Sequence, residues 1–153
     1  MITGLEQVIR FEWLASGLLC LVLGWICVAD IRRYQIPDAA SLGLVVAGLL
    51  LSLTSPLVTV ASAMLGAALG YATFAGLGAA FYHYTGQDGL GLGDAKLLAA
   101  AGAWLGLQDL PVLVGLAAIS ALVFALITRQ RRIAFGPWLS GAFWVIWVVR
   151  ISA

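Results

Sequence analysis

Six apolar stretches, almost free of charged residues, fill most of the chain and constrain its fold more than any other feature. A transmembrane helix needs about 20 mostly apolar residues, so six of them would use most of the 153 positions. We therefore expect an all-α, polytopic membrane protein with about six spans in one transmembrane domain, residues 1–153. The stretches cover about residues 11–29, 39–53, 57–82, 95–107, 110–128 and 135–151.

The composition leads to the same class of protein. Hydrophobic residues make up 63% of the chain and charged residues 10%. In soluble domains, about 45–50% of the residues are apolar and about 25% are charged. A water-soluble fold of this length could not bury so much apolar surface, because small domains keep a large share of their surface exposed. Neither a soluble enzyme nor a nucleic-acid-binding protein is therefore expected.

The basic residues are distributed unevenly between the predicted loops. Because loops rich in lysine and arginine stay in the cytoplasm, the side with more of them is predicted to be cytoplasmic, with both termini outside. Only Arg10 and Arg150 lie on the outer side. The basic residues on the cytoplasmic side are Arg32, Arg33, Lys96, Arg129, Arg131 and Arg132.

Two acidic clusters lie at the predicted cytoplasmic ends of helices. The first spans residues 30–38, directly after the first apolar stretch, and the second spans residues 87–96, directly before the fourth. An ionisable residue at the edge of a membrane is costly, so each is a candidate functional residue. The remaining acids, Glu6, Glu12 and Asp109, fall on the outer side and are expected to be solvated.

Two of the clustered acids also have a purely structural interpretation. Asp38 follows Pro37, and this pair is typical of the start of a helix that Asp38 would cap. Asp94 could likewise cap the fourth helix. Alternatively, Gly91 and Gly93 form a loop whose tight turns allow Asp94 to approach an extended peptide.

Asp30 is placed less favourably than the other acids. It lies at the carboxyl end of the first helix, where the helix dipole disfavours a negative charge. Arg32 and Arg33 could compensate that charge, which is the structural interpretation of this residue. A second acid, Asp94, is predicted on the same membrane face, and this suggests a carboxylate pair for general acid–base catalysis.

The two clusters together resemble the signatures of a known family. DIRRYQIPD and GLGLGDAKLLAAAGAWLG are similar to the two motifs of the type IV prepilin peptidases, which belong to the GxGD class of membrane aspartyl proteases. A third, weaker similarity is the Phe-Gly-Pro segment that opens the last apolar stretch, residues 135–137. The residues that match the two motifs are Asp30, Pro37, Asp38, Gly91, Gly93, Asp94 and Lys96.

The resemblance implies an activity, a partner and a compact form. Asp30 and Asp94 would be the catalytic pair that hydrolyses the bond behind the short basic leader of a prepilin or pseudopilin, at the cytoplasmic face. The substrate would present its leader and first apolar helix from the lipid bilayer, and no metal or organic cofactor is needed. Larger members carry an N-terminal domain with paired cysteines for methylation, so this chain resembles the peptidase-only form.

Two other kinds of function remain open at this stage. A small transporter could use Asp30 and Asp94 along an ion path, although acids near the bilayer midplane are then expected. A non-enzymatic subunit of a pilus or secretion assembly would function without either aspartate.

For the peptidase, the helix dipoles predict an ionised Asp94 at the start of a helix and a protonated Asp30 at the end of one.

Overall fold

The structure, a computed structural model, describes residues 2–86, 91–129 and 133–152, with side chains from Glu12 onward. Every regular element within these ranges is a helix, as the predicted all-α class requires. Arg131 and Arg132 lie outside the described residues, as do the side chains of Glu6 and Arg10. The helices are α1 (Ile2–Arg33), α2 (Asp38–Leu51), α3 (Val60–Thr85), α4 (Leu92–Leu105), α5 (Leu110–Thr128) and α6 (Gly136–Ser152).

Three segments of the described helices are long and apolar enough to cross a membrane. They are Glu12–Arg33 within α1, Val60–Thr85 and Leu110–Thr128. The helices α2 and α4 have 14 residues each and α6 has 17. At a rise of about 1.5 Å per residue, all three are shorter than a hydrocarbon core of about 30 Å. The chain is thus a multi-pass membrane protein, and six full spans remain a prediction.

The short helix α4 forms the centre of the bundle. Apart from Lys96, its residues from Ala95 to Leu105 are all buried, and the helix packs against α2, α3 and α6. Its many alanines and glycines present little side-chain bulk, which allows the neighbouring backbones to come close. Because protein surrounds α4, its length does not have to match the thickness of the bilayer.

Glycines set the distance between α3 and α4. A Cβ atom on Gly66 would lie 2.5 Å from the carbonyl oxygen of Gly102, and one on Gly70 would lie 2.8 Å from that of Leu98. Real Cβ atoms do not approach oxygen so closely, so a side chain at either position would force the helices apart. The small-residue spacing of α3 and α4 is therefore a packing motif in this bundle.

Polar contacts stabilise the end of the bundle where α4 ends and α5 begins. Arg150 pairs with Asp109, at 3.1 Å between Nε and Oδ2, and also donates to the carbonyl oxygen of Leu105. Glu12 is buried and accepts a hydrogen bond of 2.8 Å from the hydroxyl of Ser55. The prediction that Glu12 and Asp109 are solvated is therefore wrong, because both bind partners that are distant in sequence.

Candidate active site

A cavity of about 940 Å³ opens at the other end of the bundle, where α1 ends and where α2 and α4 begin. It brings together residues from the two sequence clusters, which are about 60 positions apart in the chain. Hydrophobic and basic residues complete its wall, among them Trp25, Ile36 and Arg33. The predicted site residues that line the cavity are Asp30, Pro37, Asp38, Gly91, Gly93, Asp94 and Lys96.

Asp30 lies in the last turn of α1, and only 6% of its surface is exposed. Its Oδ2 atom accepts a buried hydrogen bond of 3.0 Å from the backbone N–H of Gly136, the first residue of α6. Arg32 and Arg33 are exposed, and neither forms an ion pair with Asp30 in the described part of the chain. The partner of this carboxyl group is thus a backbone amide, which the sequence pattern did not identify.

Asp94 lies in the first turn of α4 and faces the same cavity. Its Oδ1 atom is buried and has no hydrogen-bond partner among the described residues. Asp94 is outside the three candidate spans, and burial raises the pKa of its carboxyl group to about 7. A negative charge on Asp30, which lines the same cavity, adds to this increase in the pKa of Asp94.

The predicted loop of the second motif is not confirmed, because Gly93 is helical in the part of the chain that the structure describes. Gly91 is the N-cap of α4, and Leu92, Gly93 and Asp94 belong to its first turn. Gly91 has φ −72° and ψ 141°, an extended backbone that any residue adopts. At Gly93, however, a Cβ atom would lie 2.9 Å from the Cβ of Ile36, so glycine is required there for contact with the segment between α1 and α2. Residues 87–90 lie outside the described part.

Neither of the predicted helix caps is present. Pro37 occupies the N-cap position of α2, so Asp38 is the first helical residue and makes no capping hydrogen bond. Asp94 does not cap α4 either, because Gly91 does. Asp38 instead forms an ion pair with Lys96, at 2.6 Å between Oδ1 and Nζ. This contact joins the two motifs across the mouth of the cavity.

A second, apolar opening adjoins the cavity. This groove between α1 and α2 has a volume of about 730 Å³, and Thr54 is the single polar side chain among the residues lining it. Trp25 lines both the groove and the cavity, so the two are adjacent at this residue. The apolar residues that face the groove include Leu14, Leu18, Val22, Ala39, Gly43 and Leu50.

The geometry is suited to general acid–base chemistry. Two carboxyl groups share one cavity, and their surroundings differ. Asp30 accepts a backbone hydrogen bond, whereas the buried Oδ1 atom of Asp94 has no partner among the described residues. Two such groups in one site cannot easily both be ionised, so they share protons as a pair. An ionised and a protonated carboxyl side by side can take one proton and donate another.

Comparisons with known proteins agree with the motifs. The chain is 45% identical over 163 aligned positions to a "Prepilin leader peptidase/N-methyltransferase" of Pectobacterium carotovorum subsp. carotovorum, covering 92% of this chain and 58% of the relative. It is 37% identical to the protein of that name from Neisseria gonorrhoeae, covering 93% and 51%. It is 38% identical to the protein of that name from Escherichia coli (strain K12), covering 79% of this chain and 56% of the relative.

The chain spans about half the length of the curated relatives it matches. No solved structure shows a significant match to it. The family model described as "Type IV leader peptidase family" matches residues 17–126, a range that contains both motifs, the cavity between them and most of the apolar groove. The chain therefore belongs to the type IV leader peptidase family.

Proposed function

We propose that this chain is a membrane aspartic endopeptidase that cleaves the leader from type IV prepilin-like precursors. The observation that carries the proposal is the meeting of Asp30 and Asp94 in one sheltered cavity, within a chain of the leader peptidase family. One carboxylate activates a water molecule, and the other carboxyl group protonates the carbonyl oxygen of the scissile peptide bond. The two carboxyl groups and water are sufficient for this chemistry.

The observations do not favour a transporter. Both acids lie at one end of the bundle, in the last turn of α1 and the first turn of α4, rather than along a path between its two ends. Ion paths through membrane proteins use polar groups near the bilayer midplane. The residues in the middle of α4 are instead buried alanines and leucines with one glycine.

We infer that the protein lies in the inner membrane with its cavity at the cytoplasmic face. Arg32, Arg33 and Lys96 line the cavity, and basic residues next to a span favour the cytoplasmic side. A precursor that has not yet crossed the membrane can reach a site on this face. A reporter fused to the C-terminus, beyond Arg150, is expected to be active outside the cytoplasm. Activity inside would mean that the fourth segment does not span, which leaves five crossings.

We further infer that the groove between α1 and α2 receives the first apolar helix of the precursor. The scissile bond lies just before that helix, so the helix must begin next to the two aspartates. The groove is apolar, has room for side chains of a second helix, and adjoins the cavity at Trp25. The charged leader would then occupy the polar cavity, and the helix would stay in an environment as apolar as lipid.

Filling the groove should weaken cleavage. Gly43 lies on α2 and lines the groove, and a Cβ atom there would meet nothing within 4 Å, so Gly43→Phe introduces a ring at the groove with no conflict at its first side-chain atom. We expect KM for a full-length precursor to rise several-fold with a smaller change in kcat, measured with purified protein. Gly76→Phe is the matched control, because this exposed glycine of α3 also has open space and lies outside the groove. Equal kinetics for the two variants would exclude the groove as the docking site.

Co-expression with a candidate prepilin tests the proposed function itself. The precursor should become shorter by the length of its leader when the chain is present, as seen by a size shift on a gel and by the new N-terminus. A precursor whose residue before the scissile bond has been changed serves as the control for specific cleavage. If several prepilins and pseudopilins remain uncleaved while the chain is correctly inserted, the proposed activity is wrong.

A further inference from the structure

The start of α6 meets Asp30 through a contact that only glycine allows. The N–H of Gly136 donates to Oδ2 of Asp30 at 3.0 Å. A Cβ atom at this position would lie 2.5 Å from the same oxygen and 3.1 Å from Cγ of Asp30. The preceding residue, Phe135, packs its ring against Phe74 of α3, with the ring centroids 6.2 Å apart. Packing on both sides therefore holds the amide in place against the carboxyl group.

Within the residues that the structure describes, no comparable donor contacts the buried Oδ1 atom of Asp94. The backbone N–H groups of Asp94 and Ala95 both donate to the carbonyl oxygen of Gly91, which leaves neither for the carboxyl group. An ionised carboxylate with a buried oxygen that accepts no hydrogen bond is costly, whereas the protonated form carries no charge. The first turn of α4 therefore does not stabilise a charge on Asp94 through a hydrogen bond, although the helix dipole points in that direction.

We propose that the Gly136 amide is a positioning group that keeps Asp30 in the carboxylate form, so that Asp30 is the base and Asp94 the acid. This inference deepens the proposed peptidase function and rests on it. It reverses the assignment expected from the helix ends. That expectation considered only α1 and α4. A further helix, α6, directs its positive end at Asp30, together with an N–H that has no partner within the helix.

The assignment gives a balanced reaction. Asp30 takes a proton from water as the water oxygen bonds to the carbonyl carbon, and Asp94 donates its proton to the carbonyl oxygen. The resulting gem-diol then returns a proton to Asp94 as the C=O bond re-forms and the C–N bond breaks. Asp30 gives its proton to the departing amine. The products are the free leader acid and the new N-terminus, and both aspartates regain their starting forms.

Other ionisable groups near the pair do not change the ordering. Arg32 and Arg33 are exposed, so water and salt screen their effect on either carboxyl group. Lys96 is engaged by Asp38. In the described part, no charged side chain of α3, α5 or α6 lines the cavity. The titratable and charged side chains near the two aspartates are Cys27, Arg32, Arg33, Tyr34, Asp38 and Lys96.

Infrared spectroscopy can identify the protonated acid without any substrate. A protonated carboxyl group has a C=O stretching band that a carboxylate and an asparagine side chain lack. Spectra of Asp30→Asn and Asp94→Asn would be recorded at about pH 5–6, because replacing Asp30 also removes the charge that helps to raise the pKa of Asp94, and the spectrum of the double variant subtracted. We expect the band in Asp30→Asn and not in Asp94→Asn. The opposite result, or an equal band in both, overturns the assignment.

The role of Gly136 is tested in the Asp94→Asn background, where Asp30 is the remaining acid. Adding Gly136→Ala should produce the protonated band, because the new methyl group would push the Asp30 carboxyl group away from the amide that stabilises its charge. Gly141→Ala is the matched control in α6, since a Cβ atom there meets nothing within 4 Å, and it should produce no band. If the two variants have the same spectrum, the Gly136 amide does not control the protonation of Asp30.

A second measurement leaves Gly136 unchanged and covers the case in which Gly136→Ala fails to fold. In protein labelled with ¹⁵N-glycine, the amide resonance of Gly136 reports the hydrogen bond to Asp30 directly. We expect Asp30→Asn to shift this resonance far more than Asp94→Asn does. Equal shifts would contradict the proposal. Because neither spectroscopic test uses cleavage, a failure here is distinguishable from a failure of the peptidase function.

Discussion

Replacing Asp30 or Asp94 with asparagine should abolish leader cleavage while the protein remains inserted in the membrane. Asparagine has nearly the shape of aspartate but can neither take a proton from water nor donate one as a carboxylic acid does. A positioned acid or base contributes about 10²- to 10⁴-fold to a rate, so we expect each kcat to fall by at least about 100-fold. The measurement is the rate of precursor cleavage by purified variants, with protein amounts equalised on a gel.

Asp38→Asn is the matched control for this prediction. Asp38 lines the same cavity and forms the ion pair with Lys96, but its side chain is largely exposed. Exposed ion pairs contribute about 0–1 kcal/mol, so the loss should change cleavage and stability only slightly. Near-normal cleavage by Asp30→Asn or Asp94→Asn would remove that residue from the catalytic role. A loss in Asp38→Asn as severe as in the other two would add a third residue to it.

The sequence was sufficient to predict approximately where the helices lie and that residues of the two motifs come together at one end of them. The fifth apolar stretch, 110–128, has the same bounds as α5, because both ends coincide with turn residues. Both motifs lie at helix ends that the predicted topology puts on one membrane face. That placement is why Asp30 and Asp94 could be paired before any contact between α1 and α4 was known.

Other features depend on contacts between helices that are distant in the chain. The fourth apolar stretch, 95–107, was predicted to be short for a full span. Hydropathy alone does not distinguish a helix in lipid from one surrounded by protein, so the burial of α4 at the centre of the bundle was not predicted. The pairing of Asp38 with Lys96 and the approach of Gly136 to Asp30 likewise require the relative positions of helices. The Phe-Gly-Pro segment at 135–137 was a usable signal for the second contact, although it named no partner.

Because α3 packs closely against α4, we expect Gly66→Ala to lower the stability of the protein. The added methyl group would lie 2.5 Å from the carbonyl oxygen of Gly102 and 2.9 Å from the carbonyl carbon of Gly106. Both are backbone atoms, so relief requires the two helices to separate. Overpacking of this kind costs about 1–3 kcal/mol, and here it also displaces α4, which carries Asp94. We therefore expect lower stability together with slower cleavage.

Gly76→Ala makes the same chemical change on the same helix without the steric conflict. Gly76 lies on α3 and has nothing within 4 Å of its would-be Cβ atom. Alanine is favoured over glycine inside a helix by about 1 kcal/mol, so this variant should be as stable as the parent or slightly more stable. Unfolding of both variants in the same detergent micelles, followed by circular dichroism, measures the difference. Equal stabilities would mean that α3 and α4 can separate at little cost, and the glycine contact would then not be what holds Asp94 in the cavity.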